Sequence, residues 1–252
     1  MTWDAPEALQ RRRQVATAMS RQASRLERQL PAILSGAEEW LATARSAQAV
    51  WQFAAKQSEF GHLVVAGYRA GRYSPIAALV RTLYEDATLL AWCAAPNDSE
   101  EQAPRVLRVL LDYYRRVRDK GYALPADAEK MLKETTGGLA RKPPSMEDRA
   151  RQLDDDEGGK HDGRRFWVSH LGHVEMLNAY VHAELGGVPH FVDPMTRELL
   201  GFEALVYGHQ YLSLSIVSIV RLSNQNALAT RAQDAFARIH DQELEELQRL
   251  IR

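Results

Sequence analysis

The chain has 252 residues, of which 45% are hydrophobic and 26% charged, and its formal net charge is −1. This composition provides enough apolar surface for one large domain or two small ones, and the balanced charge argues against an extensive nucleic-acid surface. The longest apolar run, at 211–220, contains serines and is shorter than the roughly 20 residues of a membrane span. With a single cysteine, Cys93, and no disulfide framework, we expect a cytoplasmic protein without a membrane partner.

Apolar residues recur at intervals of three and four along almost the whole chain, which predicts helices and no sheet. We expect an all-α fold, an antiparallel bundle of seven to nine helices in a single domain over 1–252. Its core should span 33–225, with a terminal helix on either side that packs on it or serves oligomerisation. In chain order, the predicted helices cover 6–29, 33–70, 74–94, 104–121, 125–135, a short segment from 145, 164–185, 196–223 and 229–251.

Capping residues, glycines and prolines set these boundaries. Ser74 followed by Pro75 is typical of an N-cap and the first helical position, and Ser145-x-x-Asp148 resembles a capping box. Breaks are expected where glycine or proline follows a periodic segment. The expected breaks are at Pro31, Gly71 and Gly121.

The segment RTLYED, 81–86, carries charge on an otherwise apolar helix. Arg81 and Glu85 are four residues apart and share one face, so they can form an ion pair. A helix that is apolar on nearly all sides is usually buried, and a buried charge needs a partner. The pair is therefore either an internal tie between helices or part of a polar pocket.

A second polar stripe follows the predicted helix 164–185. Glu175, Asn178 and His182 recur at intervals of three and four, so they lie on one face. His182 is either a core histidine held by one hydrogen bond or a general acid or base. Because both stripes interrupt apolar helices, we expect Arg81, Glu85, Asn178 and His182 to converge in one pocket.

Metal binding has little support in the sequence. Glu59-x-x-His62 has the spacing that di-iron bundles use, but such bundles need a second Glu-x-x-His, which the chain does not contain. His170-x-x-His173 is a loose pattern in a chain with eight histidines. We expect neither a metal nor another cofactor.

A short nuclease-like motif is also present. Arg165 and His170 fit the R-x4-6-H signature of HEPN-domain ribonucleases, which are compact helical bundles that cleave RNA without a metal. In such a site the histidine would accept the 2′-hydroxyl proton and the arginine would hold the phosphate. The residue after the arginine is usually polar in that family, whereas here it is Phe166.

Three segments in order, ARTLYEDATLLAWC, KPPSMEDRARQL and EMLNAYVHAELGG, resemble a bacterial family of helical proteins of unknown function, distantly similar to HEPN bundles. The family carries an R-x-L-x-E helix and a late V-H motif, and some members lie in phage-defence or toxin-like gene neighbourhoods. The resemblance covers about 78–187 and selects Arg81, Glu85 and His182. Asn178 stands where the family usually has serine.

Three functions remain open at this point. The first is a binding or regulatory protein with a polar pocket for a small anionic or nucleotide-like ligand, its binding residues being Arg81, Glu175, Asn178, Arg165 and His170. The second is a metal-independent ribonuclease or phage-defence effector with His182, Glu85 and Arg81 as catalytic residues. The third is a purely structural interaction protein. We expect a homo-oligomer in each case, with a small anion or RNA as a further partner.

Overall fold

Every regular element that the structure describes is helical, which confirms the all-α prediction. The computed structural model describes residues 6–35, 44–96, 99–135, 137–156 and 194–222. These residues include no β-strand, and among them no helix has the length and apolarity needed to cross a membrane. The elements are α1 (Pro6–Ser35), α2 (Ala44–Arg69), α3 (Tyr73–Ala94), α4 (Ser99–Asp119), α5 (Ala126–Glu134), a 3-10 turn (Gly137–Ala140), α6 (Met146–Asp156) and α7 (Pro194–Leu222).

The helix α7 lies at the centre of the described bundle, where it packs against α1, α2 and α3. The helices α2 and α3 are joined by 70–72 and run antiparallel, as expected for neighbours with a short connection. In contrast, α7 runs parallel to α3, because Tyr73 faces Gly201 at one level and Tyr84 faces Tyr211 further along both helices. The antiparallel prediction therefore applies to helices joined by short loops, and the distant helix α7 packs parallel to α3.

Two glycines on α7 let neighbouring helices approach it closely. Gly201 and Gly208 are seven residues apart and so share one face of the helix. A Cβ atom at Gly201 would lie 2.1 Å from Cδ1 of Tyr73, and one at Gly208 would lie 2.6 Å from Cε of Met19. The absence of side chains at these two positions is thus part of the core packing.

The predicted helix ends at Gly71 and Gly121 and the predicted helix start at Ser145 are confirmed. Gly71 and Gly121 have positive φ angles of 68° and 83°, which glycine adopts without strain. After Gly71 the backbone N–H of Arg72 donates to the carbonyl of Gly67 at 2.8 Å, which closes the end of α2. At the start of α6, the backbone N–H of Asp148 donates to Ser145 Oγ at 3.1 Å.

The predicted start of α3 is wrong by two residues. The helix begins at Tyr73, and its N-cap residue is Arg72, which makes no side-chain capping bond. Ser74 is therefore helical and does not cap. Pro75 occupies the third helical position, where the backbone N–H has no acceptor within the helix, so the ring is tolerated there.

Two other prolines lie inside helices that they were expected to begin or end. The helix α1 continues beyond Pro31 to Ser35, and α4 begins at Ser99, five residues before Pro104. A proline removes one hydrogen bond, but the remaining ladder can continue on both sides of it. The predicted helix 33–70 therefore starts too early, because residues 33–35 belong to α1; residues 36–43 lie outside the described residues, and α2 covers Ala44–Arg69. The predicted helices 164–185 and 229–251 lie outside the described residues.

Candidate binding site

A buried carboxylate on α3 organises the polar interior of the bundle. The side chain of Asp86 is only 9% exposed, and its Oδ2 lies 2.7 Å from Lys56 Nζ on α2. Burial raises the pKa of Asp86 above its ordinary value, while the hydrogen bond and charge of Lys56 oppose the shift. An ionised Asp86 therefore depends on Lys56 for its compensation.

A hydrogen-bonded path continues from Asp86 to the central helix. Gln57 Nε2 donates to Asp86 Oδ2 at 3.3 Å and also lies 3.4 Å from the carbonyl oxygen of Leu83. On its other side, Gln57 Oε1 accepts a hydrogen bond of 2.8 Å from Ser215 Oγ on α7. The amide of Gln57 is thus satisfied although the residue is fully buried. Three helices, α2, α3 and α7, are joined through this one side chain.

Lys56 also borders a groove between α2, α3 and α4, which we call the Lys56 groove. Its volume is about 400 Å³, within the usual range for small-molecule sites. Most of its lining is apolar or aromatic, and three polar side chains interrupt that lining. The lining residues include Ala49, Gln52, Phe53, Lys56, Leu89, Val109, Tyr113, Tyr114 and Arg116.

The two cations of the Lys56 groove are both paired with inner carboxylates. Lys56 is 38% exposed above Asp86, and its ammonium lies 5.8 Å from the ring centroid of Phe53. On α4, Arg116 Nη2 lies 2.8 Å from Asp112 Oδ2, with the guanidinium exposed and the carboxylate largely buried. Each pair presents its positive group outward and its negative group inward. A ligand in the groove therefore meets N–H donors rather than carboxylates.

The predicted ion pair of Arg81 with Glu85 is present, but it is less buried than expected. Arg81 Nη2 lies 3.1 Å from Glu85 Oε1, and the two side chains are 21% and 40% exposed. The pair is formed within α3, and Ala77 and Tyr84, one turn before and after Arg81, are buried, so the pair borders the core. From α6, Arg149 approaches this region; burial lowers its pKa, and the neighbouring Cys93 and Glu85 oppose that shift.

The convergence of Arg81 and Glu85 with the second polar stripe stays a prediction. The other predicted site residues lie outside the described part of the chain. These residues are Arg165, His170, Glu175, Asn178 and His182, together with His173.

A second cleft of about 490 Å³ between α1 and α2 contains the Glu59-x-x-His62 motif. His62 Nε2 lies 3.6 Å from Glu27 Oε2, with the two side chains 41% and 64% exposed. Within the described residues, no group of three or more His, Cys, Asp or Glu side chains is arranged to hold a metal ion. On α3, burial raises the pKa of Cys93 to about 12, so this thiol is inert as a nucleophile.

Lys56 and Asp86 belong to no recognisable motif in the sequence, although one signal marks Asp86. Asp86 follows Leu83 by three residues and precedes Leu90 by four, so it lies on the apolar stripe of α3. Both leucines are buried. Glu85 is four residues from Arg81, but that spacing indicates a shared face and not a buried one.

The comparisons with known proteins assign no family to this bundle. The chain matches no protein-family model, and no curated protein or solved structure is significantly similar to it.

Proposed function

We propose that the protein is a helical binding protein that takes a small anionic ligand into the Lys56 groove. The observation that carries the proposal is a groove of about 400 Å³ whose apolar wall is interrupted by an ammonium held in place by Asp86. Ligand sites typically combine such walls with a few fixed polar groups that orient the ligand. Lys56 supplies an anchoring charge, and Phe53 and Tyr113 supply contact area.

The hydrogen-bonded path beneath the Lys56 groove supports a regulatory role. An anion bound to Lys56 competes with Asp86 for the same ammonium. A shift in the position or charge of Asp86 alters its hydrogen bond with Gln57. Through Gln57 Oε1 it also alters the hydrogen bond with Ser215 on α7. Because α7 contacts three other long helices, the central helix responds to the occupancy of the groove.

The test is thermal unfolding in the presence of a panel of small organic anions. We expect at least one class of anion to raise the melting temperature of the wild type and not of Val109→Trp, which fills the groove. Leu63→Trp is the matched control, because Leu63 is exposed and lines the cleft between α1 and α2. If no anion stabilises the wild type, or if Val109→Trp responds equally, the proposal is wrong.

The pocket predicted from Arg81, Glu85, Asn178 and His182 is a second proposed location for the same function. Its support is the ion pair between Arg81 and Glu85 and the approach of Arg149 to Glu85. A His182→Ala variant that loses anion-induced stabilisation while Val109→Trp retains it would favour this pocket over the Lys56 groove.

The ribonuclease alternative rests on the sequence motif of Arg165 and His170. Its test is RNA cleavage in the presence of EDTA by the wild type, His170→Ala and His182→Ala. Cleavage that persists in EDTA and is lost in one of these variants would favour the nuclease over the binding protein. No cleavage by the wild type removes this alternative.

We also propose a cytoplasmic homo-oligomer from a bacterium, consistent with one buried thiol and an alanine- and arginine-rich composition. Light scattering on the purified chain measures its oligomeric state. A purely structural interaction protein remains the further alternative, and it predicts that no small anion stabilises the chain.

A further inference from the structure

We propose that the ligand of the Lys56 groove is an amphipathic monocarboxylate, that is, an acid with one negative charge on an aromatic or alkyl body. This inference rests on the proposed function and narrows it. It replaces the broader class of anionic or nucleotide-like ligands that the sequence suggested.

The charges around the groove favour a monoanion. Lys56 and Arg116 are paired with Asp86 and Asp112, so the formal charges of the four groups sum to zero. A nucleoside polyphosphate would place several negative charges close to these two carboxylates, with no unpaired cation among the four groups to balance them. A single carboxylate needs only the remaining N–H donors of the ammonium and guanidinium.

The backbone around the groove also disfavours a phosphate. Known phosphate sites often use backbone N–H groups at a helix N-terminus or in a glycine-rich loop. The described lining residues lie within α2, α3 and α4, beyond the first turn of each helix, where N–H groups donate to carbonyls inside the helix. Phosphate oxygens would have only Lys56, Arg116, Gln52 and the tyrosine hydroxyls of the described lining as donors.

The walls determine the rest of the ligand. Phe53, Leu89 and Val109 offer apolar surface, while Tyr113 stands exposed at the edge of the groove, where it can cover a bound group. Burial of one methylene increases affinity about fourfold. Affinity for a homologous series of acids should therefore rise about fourfold per added methylene until the groove is filled.

The test is isothermal titration of the full chain with butanoate, hexanoate and octanoate. A matched pair, 3-phenylpropionate and its uncharged amide, tests the role of the charge. Adenosine monophosphate serves as the organic phosphate. We expect affinity to rise along the acid series and the amide to bind at least about tenfold more weakly than its acid, because it lacks the charge that meets Lys56. Val109→Trp should abolish binding of the acids, and Tyr113→Ala should weaken it.

Tyr122→Ala is the control for the tyrosine variant, because Tyr122 is also exposed and follows the same helix without lining the groove. One outcome would overturn the monocarboxylate class and leave the proposed function standing. In that outcome, adenosine monophosphate binds more tightly than every acid, and Val109→Trp abolishes its binding. Acid binding that is unchanged in Val109→Trp would place the ligand elsewhere and overturn the inference. Absence of binding by all these probes would contradict both proposals.

Discussion

Replacement of Lys56 by methionine removes the cation that compensates the buried carboxylate of Asp86. Without it, Asp86 retains Gln57 as a hydrogen-bond donor but no positive charge in direct contact among the described residues. Breaking a fully buried pair by removing one partner costs about 3–5 kcal/mol. Lys56 is 38% exposed, so water can reach the pair, and we discount the cost to about 2 kcal/mol. Urea denaturation at pH 7 measures this change in the free energy of unfolding.

The same variant should recover when Asp86 is neutral. Combining Lys56→Met with Asp86→Asn removes both charges, and the double variant should unfold with a free energy within about 1 kcal/mol of wild type. Lys130→Met is the control, because Lys130 pairs with Glu134 on the exposed side of α5 and should cost less than about 1 kcal/mol. A Lys56→Met protein as stable as wild type, or one that Asp86→Asn does not rescue, would refute the pairing.

The loss of stability in Lys56→Met should depend on pH through the ionisation of Asp86. Burial raises the pKa of Asp86 above its ordinary value in the folded protein. The contribution of Asp86 to the free energy of unfolding is therefore fully present below its pKa in the unfolded chain. It is lost as pH rises through the higher pKa in the folded protein. In Lys56→Met the folded pKa should rise further, so its deficit relative to wild type should shrink as pH falls from 7 towards 4. A deficit that is constant over this range would contradict the assignment to Asp86.

Three further predictions concern packing, capping and reactivity. Gly201→Ala should destabilise the chain by about 1–3 kcal/mol, because its Cβ would lie within 2.1 Å of Tyr73, whereas Gly138→Ala meets no atom within 4 Å and should have little effect in thermal unfolding. Ser145→Ala should cost about 1 kcal/mol in urea denaturation, since it removes the cap of α6. Cys93 should resist a thiol reagent in the native protein at pH 8 and react fully in urea, because it is buried with a raised pKa.

Local signals in the sequence predicted the helical class and several helix ends. Gly71 and Gly121 end helices because their positive φ angles suit glycine, and Ser145 caps a helix through one local hydrogen bond. The helix boundaries predicted at Pro31 and Pro104 are wrong, because both prolines lie inside helices. Whether a proline ends a helix depends on the packing on either side, and local sequence does not contain that packing.

The candidate site was harder to predict because its groups come from distant positions. Lys56 and Asp86 are 30 residues apart and meet only because α2 and α3 are antiparallel, and Ser215 arrives from the other end of the described chain. A short motif such as Arg81 and Glu85 can be recognised within one helix, and that pair was found. Pairing across helices requires the register of the bundle, which periodicity alone does not determine.

The most direct test of the central claim compares octanoate binding to the wild type and to the Lys56→Met, Asp86→Asn double variant by isothermal titration. We expect the double variant to keep the groove and the fold while lacking the ammonium at the groove's edge. The account predicts saturable binding to the wild type and affinity at least about tenfold lower in the double variant. Equal affinity of the two proteins, with unchanged stability, would show that Lys56 does not anchor the ligand and would contradict the account.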